Sequence, residues 1–296
     1  MRVCAACGSA RLSDAWACRS CGHQPPAING FTAFAPAFAS ENSGFRESYF
    51  ADLAGLEAGN FWFRSRNDLI AWAMKSYVPD CPTFLEVGCG TGFVLQRIHR
   101  EYPSAALSGS EIFTAGLKFA SARVPSATFY QMDARRIPFR AEFEAIGAFD
   151  VLEHIEEDET VIAEVGDALR SGGTFLATVP QHRALWSQQD ISSHHIRRYS
   201  QWELRRKVEA AGFEIVRMTS FVSLLLPLMF ASRMRRTQGT ADFDASDNLR
   251  LSRRANEALA AVMRVERSMI RHGITFPAGG SLLLVARKRS QTQEAS

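Results

Sequence analysis

The chain has 296 residues, 46% of them apolar and 22% charged. That length suits about two domains, or one large α/β domain with additions, and the composition excludes a disordered, collagen-like or fibrous chain. The net charge of +3 hides an asymmetry: residues 217–296 carry 13 basic and 6 acidic side chains, against 21 and 25 in residues 1–216. A basic C-terminal quarter fits a phosphate-bearing partner, an anionic surface or a solvated Arg-rich helix face.

The first element is a cysteine pattern, Cys4-x2-Cys7-x10-Cys18-x2-Cys21. Two such knuckles suit tetrahedral thiolate ligation of Zn²⁺, and four thiolates close the shell, so the expected metal is structural. Gly8 and Gly22 follow the second Cys of each pair, where a tight turn aims N–H groups at sulfur. Cys81 and Cys89 lie apart from this set. The start lacks the apolar run of a signal peptide, which makes a cytoplasmic protein the expectation and two disulfides the poorer reading. A Pro-, Ala- and Ser-rich stretch then reads as a linker.

Residues 61–77, opening Phe61-Trp-Phe-Arg64-Ser-Arg66-Asn67, should form a helix. Strand-like runs follow at 83–87, 105–111, 127–133, 143–149, 174–179 and 213–218, with helical patterns at 92–100, up to 122, 157–169 and 202–211 between them. A last strand is expected over 281–287. Such alternation argues for an α/β fold with a doubly wound, Rossmann-like parallel sheet, whose ligands bind at the carboxyl ends of the strands. Residues 221–231 form the longest apolar run, 11 residues holding a Ser and a Pro, well short of the ~20 a membrane-spanning helix needs. Within 247–271, Leu251, Ala255, Leu259, Val262, Met269 and Ile270 fall near one face, with arginines elsewhere. That pattern fits a lid, a dimer contact or an interfacial membrane segment. The expected division is a zinc module over 1–25, a linker over 26–50, a core over 51–220, a helical insertion over 221–280, the last strand within 281–289 and a tail over 290–296.

The first core strand runs into Glu86-Val-Gly88-Cys-Gly90-Thr-Gly92, and a helix N-terminus follows. Glycines there permit a tight turn and close ligand approach, and the helix start supplies free N–H groups. The spacing matches neither the nicotinamide-dinucleotide loop nor the phosphate-binding loop with its Lys. Glu111 ends the second strand and Asp133 the third. An acid at the end of the second strand can accept both hydroxyls of a ribose.

These residues resemble the class I S-adenosylmethionine-dependent methyltransferases, over roughly 83–216 and the last strand. The resemblance implies that Glu86, Gly88, Gly90 and Gly92 contact the methionine part of the cofactor. It implies ribose binding by Glu111 and adenine contacts by Asp133 and Ala134. The segment Phe149-Asp150-Val-Leu-Glu153-His154-Ile resembles the small-molecule branch of the family, where it lines the floor between cofactor and acceptor, which adds Asp150 to the cofactor-side set. It also departs from the Asn/Asp-Pro-Pro-aromatic run of enzymes that methylate amino groups on nucleic acid bases.

If the acceptor is a hydroxyl or a carbon acid, a general base helps. His195, in Ser193-His194-His195-Ile-Arg197-Arg198-Tyr199, is favoured slightly over His154, and a structural role stands open for both. Arg197 and Arg198 either clamp a phosphate or carboxylate or pair with surface acids. The leading expectation is a methyltransferase acting on oxygen or carbon of a small or lipid-linked acceptor, with S-adenosylmethionine and structural Zn²⁺ as cofactors. Peripheral contact with the inner face of a membrane through 221–271 would serve a lipid-linked acceptor. A second reading is an rRNA or tRNA methyltransferase that uses the zinc module on RNA; the acidic balance of 1–216 argues against nucleic acid. A third is a non-catalytic cofactor-binding partner subunit.

Overall fold

The computed structural model describes residues 1–39, 47–235 and 251–290. Parts of the expected linker, insertion and tail, with Arg236 and Arg250, lie outside the described residues. The strands are β1 (Ala27–Ile28), β2 (Phe31–Ala33), β3 (Thr83–Val87), β4 (Ala106–Glu111), β5 (Thr128–Gln131), β6 (Phe143–Phe149), β7 (Leu169–Pro180), β8 (Phe213–Phe221) and β9 (Ser281–Lys288). The helices are α1 (Glu47–Leu56), α2 (Phe61–Tyr77), α3 (Phe93–Glu101), α4 (Thr114–Arg123), α5 (Asp158–Ala168), α6 (Gln188–Ser192), α7 (Gln201–Ala210), α8 (Leu226–Arg235) and α9 (Arg253–Arg271).

All nine strands join one sheet in the order β1-β2-β5-β4-β3-β6-β7-β9-β8. The chain runs outward from β3 through β4 to β5, then returns to β6 on the other side of β3. That reversal is the switch point, where a crevice opens at the carboxyl ends of the strands. Strand side chains alternate between two cores. Leu85, Ile146, Phe175 and Leu284 belong to one and Phe84, Ala145, Leu176 and Leu283 to the other. Burial on both faces explains why these strands read as unbroken apolar runs.

Three expectations need correction. The stretch read as linker contributes β1 and β2, and β2 pairs parallel with β5. Strands of two and three residues are too short for an alternating pattern to show. The sheet is also mixed: β9 runs antiparallel between β7 and β8. An antiparallel partner buried on both faces has the same apolar signature as a parallel one. Finally, the buried stripe of α9 runs through Ala260, Met263, Glu266 and Ile270, whereas Leu251 and Ala255 are exposed. Leu259, Val262, Met263 and Ile270 pack into the same core as α2 residues Leu69, Ile70 and Met74.

The N-terminal cysteine module is docked on the sheet rather than tethered to it. Trp16 is 6% exposed and meets Phe34, Tyr130 and Phe139 edge-on, with centroids 4.6, 5.9 and 5.5 Å away. Val3 N–H donates to the Pro138 carbonyl at 3.0 Å. Arg2 stacks over Trp16 at 4.8 Å.

Candidate active site and metal sites

The carboxyl ends of β3, β4, β5 and β6 open into one cavity of 2190 Å³. Glu86, Gly88, Gly90, Glu111, Asp133, Ala134, Asp150, His154 and His195 all line it, so sequence-distant candidates are brought together. Gly92 is the exception. It sits behind the loop, where a Cβ would lie 2.7 Å from the Ala120 Cα. Its role is to let the loop pack on α4.

The loop after β3 needs its glycines. Gly88, Gly90 and Gly92 have φ of +67°, +50° and +76°, the left-handed region. A Cβ on Gly88 would strike Val151 Cγ2 at 2.5 Å. A Cβ on Gly90 would meet nothing within 4 Å, so bare backbone faces open cavity there. Thr91 is pinned from below by its hydroxyl, which donates to Glu57 at 2.7 Å. Arg123 completes the brace by donating to Glu57 at 2.6 Å and to Thr91 Oγ1 at 2.7 Å. This Glu57–Thr91–Arg123 cluster was not expected. Its members are far apart in sequence, and no local signal marks them.

Glu86 is 2% exposed, and its Oε2 has no hydrogen-bond partner. Burial pushes its carboxyl well above the usual range, against the opposing pull of Arg66. Glu111 accepts from Gly90 N–H at 3.0 Å and Ile112 N–H at 2.8 Å. Burial raises its carboxyl too, with those backbone donors opposing. Asp133 is held in a fork by Arg135, whose Nη2 donates at 2.8 Å and Nε at 3.1 Å. Asp150 pairs with Arg66, which stacks over Trp62 at 4.6 Å. The aromatic-Arg run at the start of α2 thus reaches the site through Arg66.

A second set of side chains comes from beyond β6 and β7. Rings of His154 and His195 meet edge-on, 4.7 Å apart. Burial and the neighbouring His195 push the His154 imidazole down to about 4. His195 Nδ1 lies 3.0 Å from Asp190 Oδ1. Asp190 in turn accepts from Arg198 Nε at 2.7 Å and Nη2 at 3.0 Å. Arg197 pairs with buried Asp158 at 2.7 Å. Both arginines are therefore committed to internal acids, which decides against the anion clamp.

The cysteine set forms as expected. The sulfurs of Cys4, Cys7, Cys18 and Cys21 all lie within 4.8 Å of one another. Cys4–Cys21 and Cys7–Cys18 are each 3.7 Å apart. Tetrahedral zinc with Zn–S of ~2.3 Å places its sulfurs about 3.8 Å apart, so the donor set fits. The N–H groups of Ala6 and Ser20 approach Cys4 and Cys18 at 3.4 Å. All six cysteines are free, so no disulfide competes.

The strand order and the glycine loop at the switch point define the class I methyltransferase fold. Residues 84–173 match the family model described as a methyltransferase domain. A Mycolicibacterium smegmatis protein, described as a probable S-adenosylmethionine-dependent methyltransferase, is 25% identical over 166 residues, covering 55% of this chain and 63% of that protein. The Streptomyces venezuelae dTDP-3-amino-3,4,6-trideoxy-alpha-D-glucopyranose N,N-dimethyltransferase is 30% identical over 129 residues, 42% of this chain and 53% of the relative. The chain thus spans less than two thirds of the length of either. In fold, it is similar to Haemonchus contortus phosphoethanolamine N-methyltransferase 2, with a TM-score of 0.56 at 16% identity over 84% of this chain and 59% of that one.

Proposed function

We propose that this protein is an S-adenosylmethionine-dependent methyltransferase acting on a small, largely apolar acceptor. One observation carries the reading: the open Gly90 backbone, the buried Glu86 and the strand-end acids Glu111 and Asp133 share a cavity with the apolar side chains of α8 and α9. The names of the relatives support the same activity. When bound, the cofactor supplies a methyl group on a sulfonium.

The residues present fit that group. Glu86 has an unpartnered, buried carboxylate oxygen that an ammonium would satisfy. Gly90 leaves room for backbone contact at the N-terminus of α3, and Gly88 lets the loop pass close to Val151. Glu111 would exchange its loop N–H partners for ribose hydroxyls, and Asp133 and Ala134 would border the adenine. Asp150, held by Arg66, shapes the floor. His195, ordered by Asp190, faces the acceptor end of the cavity. Burial keeps His154 neutral, so it faces the cavity as an uncharged group.

The acceptor end of the cavity holds Trp186, Ile191, Leu228 and Leu251, all substantially exposed. Exposed apolar groups at a cavity mouth favour an apolar or lipid-linked acceptor over RNA. Among the described residues, no helix is long and apolar enough to cross a membrane. The zinc module turns Trp16 inward onto the core, so we assign it a bracing role.

The test incubates the protein with methyl-labelled S-adenosylmethionine and a bacterial extract split into chloroform and aqueous phases. Label is expected in the chloroform phase. Label in the aqueous phase alone would replace the acceptor class, and no transfer to either would overturn the enzymatic reading.

A further inference from the structure

We propose that Glu153, His154 and His195 form a divalent-cation site in the cavity floor. Each offers a ligand atom, and those atoms lie within 4.8 Å of one another. Two imidazoles and one carboxylate are the donor set of open Mn²⁺, Fe²⁺, Co²⁺ or Zn²⁺ sites.

The argument rests on who holds the protons. Asp190 accepts from two nitrogens of Arg198 and from Ser187 N–H and Oγ, so it is an acceptor toward His195 as well. The 3.0 Å contact between His195 Nδ1 and Asp190 Oδ1 therefore requires Nδ1 to carry the hydrogen. In the neutral ring this leaves Nε2 as a bare lone pair, 3.9 Å from Glu153 Oε1, too long for a hydrogen bond. The Glu153 side chain is 1% exposed, and neither oxygen has a hydrogen-bond partner. A lone pair and a buried, unpaired carboxylate facing one another are mutually unfavourable unless a proton or a cation lies between them, and the donor set suits a cation. A carboxylate holding the far nitrogen of a ligating His is also the usual outer support of a metal site. Asp190 supplies it here.

The existence of this site does not depend on the methyl-transfer reading; its role does. On that reading the cation binds the acceptor's hydroxyl oxygen, which makes the acceptor an alcohol or phenol. The O–H proton leaves to cavity water. The O–CH3 bond forms as the S–CH3 bond of the sulfonium donor breaks, and the bonding pair stays on sulfur. His195 is then a ligand and not the general base, because its free nitrogen is committed to the cation.

The experiment titrates Mn²⁺ into the full-length protein, its cysteine site filled with one equivalent of zinc, and follows free Mn²⁺ by electron paramagnetic resonance. Glu153→Gln and His195→Asn are measured alongside, with thermal unfolding to confirm that each is folded. One Mn²⁺ per chain is expected, with affinity at least tenfold weaker in each folded variant. Asp190→Asn, a change at a positioning residue, should weaken it about tenfold as well. Absence of binding to the unaltered protein at millimolar Mn²⁺ overturns the site, as does unchanged affinity in the variants. Calorimetry with S-adenosylmethionine on the same samples separates the two readings. Cofactor binding without Mn²⁺ binding removes only the metal site; Mn²⁺ binding without cofactor binding removes the methyl-transfer role and leaves the site.

Discussion

Trp16→Ala tests whether the N-terminal cysteine module is part of the core. An aromatic side chain of this size buries roughly 150–250 Å², which at about 25 cal/mol per Å² stabilises by about 4–6 kcal/mol. Its three edge-on partners, at 4.6, 5.9 and 5.5 Å, add a further fraction each. Large-to-small changes at buried aromatics cost about 3–5 kcal/mol, and relaxation of Phe34 and Tyr130 toward the gap keeps the loss in that range. Trp16 sits at φ +65°, and Ala there retains the same backbone cost, so no relief offsets the loss. Urea unfolding of the zinc-loaded protein, followed by far-ultraviolet circular dichroism, should show a loss of about 3–5 kcal/mol. A loss under about 1 kcal/mol would mean that the module rests on the sheet without stabilising it, and the docking argument would fail.

Chelation of zinc, or Cys18→Ser, should release the module and expose Tyr130 and Phe139; a lowered Tm and new binding of a hydrophobic dye check this, and an unchanged Tm would separate the metal from fold stability. Asp158 should impose an acid limit on stability. Burial pushes its carboxyl up, but hydrogen bonds from Lys207, Tyr199 and Arg197 outweigh this and hold it below the usual carboxylate range. A depressed carboxyl stabilises the fold above its unfolded value, near 4, and that stabilisation disappears as pH falls through the lower folded value. Asp158→Asn should therefore cost about 3 kcal/mol near neutrality, and its gap from the unaltered protein should narrow below pH 4. A gap that stays constant with pH would sink this assignment.

The central sheet was legible because β3, β6 and β7 are apolar runs closed by Gly88, Asp150 and Pro180, with helical patterns between the strands. That Glu86, Gly88, Gly90, Glu111 and Asp133 would share one cavity was equally legible. Glu86 to Gly92 is one contiguous segment; Glu111 ends β4 and Asp133 follows β5, strands that a doubly wound order must place beside it. What sequence missed depends on distance along the chain. Thr91, Glu57 and Arg123 meet only after α1 and α4 pack. Asp190 looks like an ordinary surface acid until Arg198 and His195 close on it. Glu266 shows a different failure. A charge inside an apolar stripe reads as the polar face, yet here it is 1% exposed and accepts from the N–H groups of Val222, Ser223 and Leu224 at 2.6, 2.6 and 2.7 Å. Its partners are orphan backbone donors in the turn before α8, which no side-chain periodicity can reveal.

The assignment of the cavity to S-adenosylmethionine is tested most directly by calorimetric titration of that compound into the unaltered protein and Glu111→Ala. One site per chain is predicted. Loss of two charge-assisted hydrogen bonds to the ribose, about 3 kcal/mol or more together, should weaken affinity by roughly 100-fold or more in the variant. No heat of binding to the folded, zinc-loaded protein, or equal affinity in the two proteins, would contradict the account.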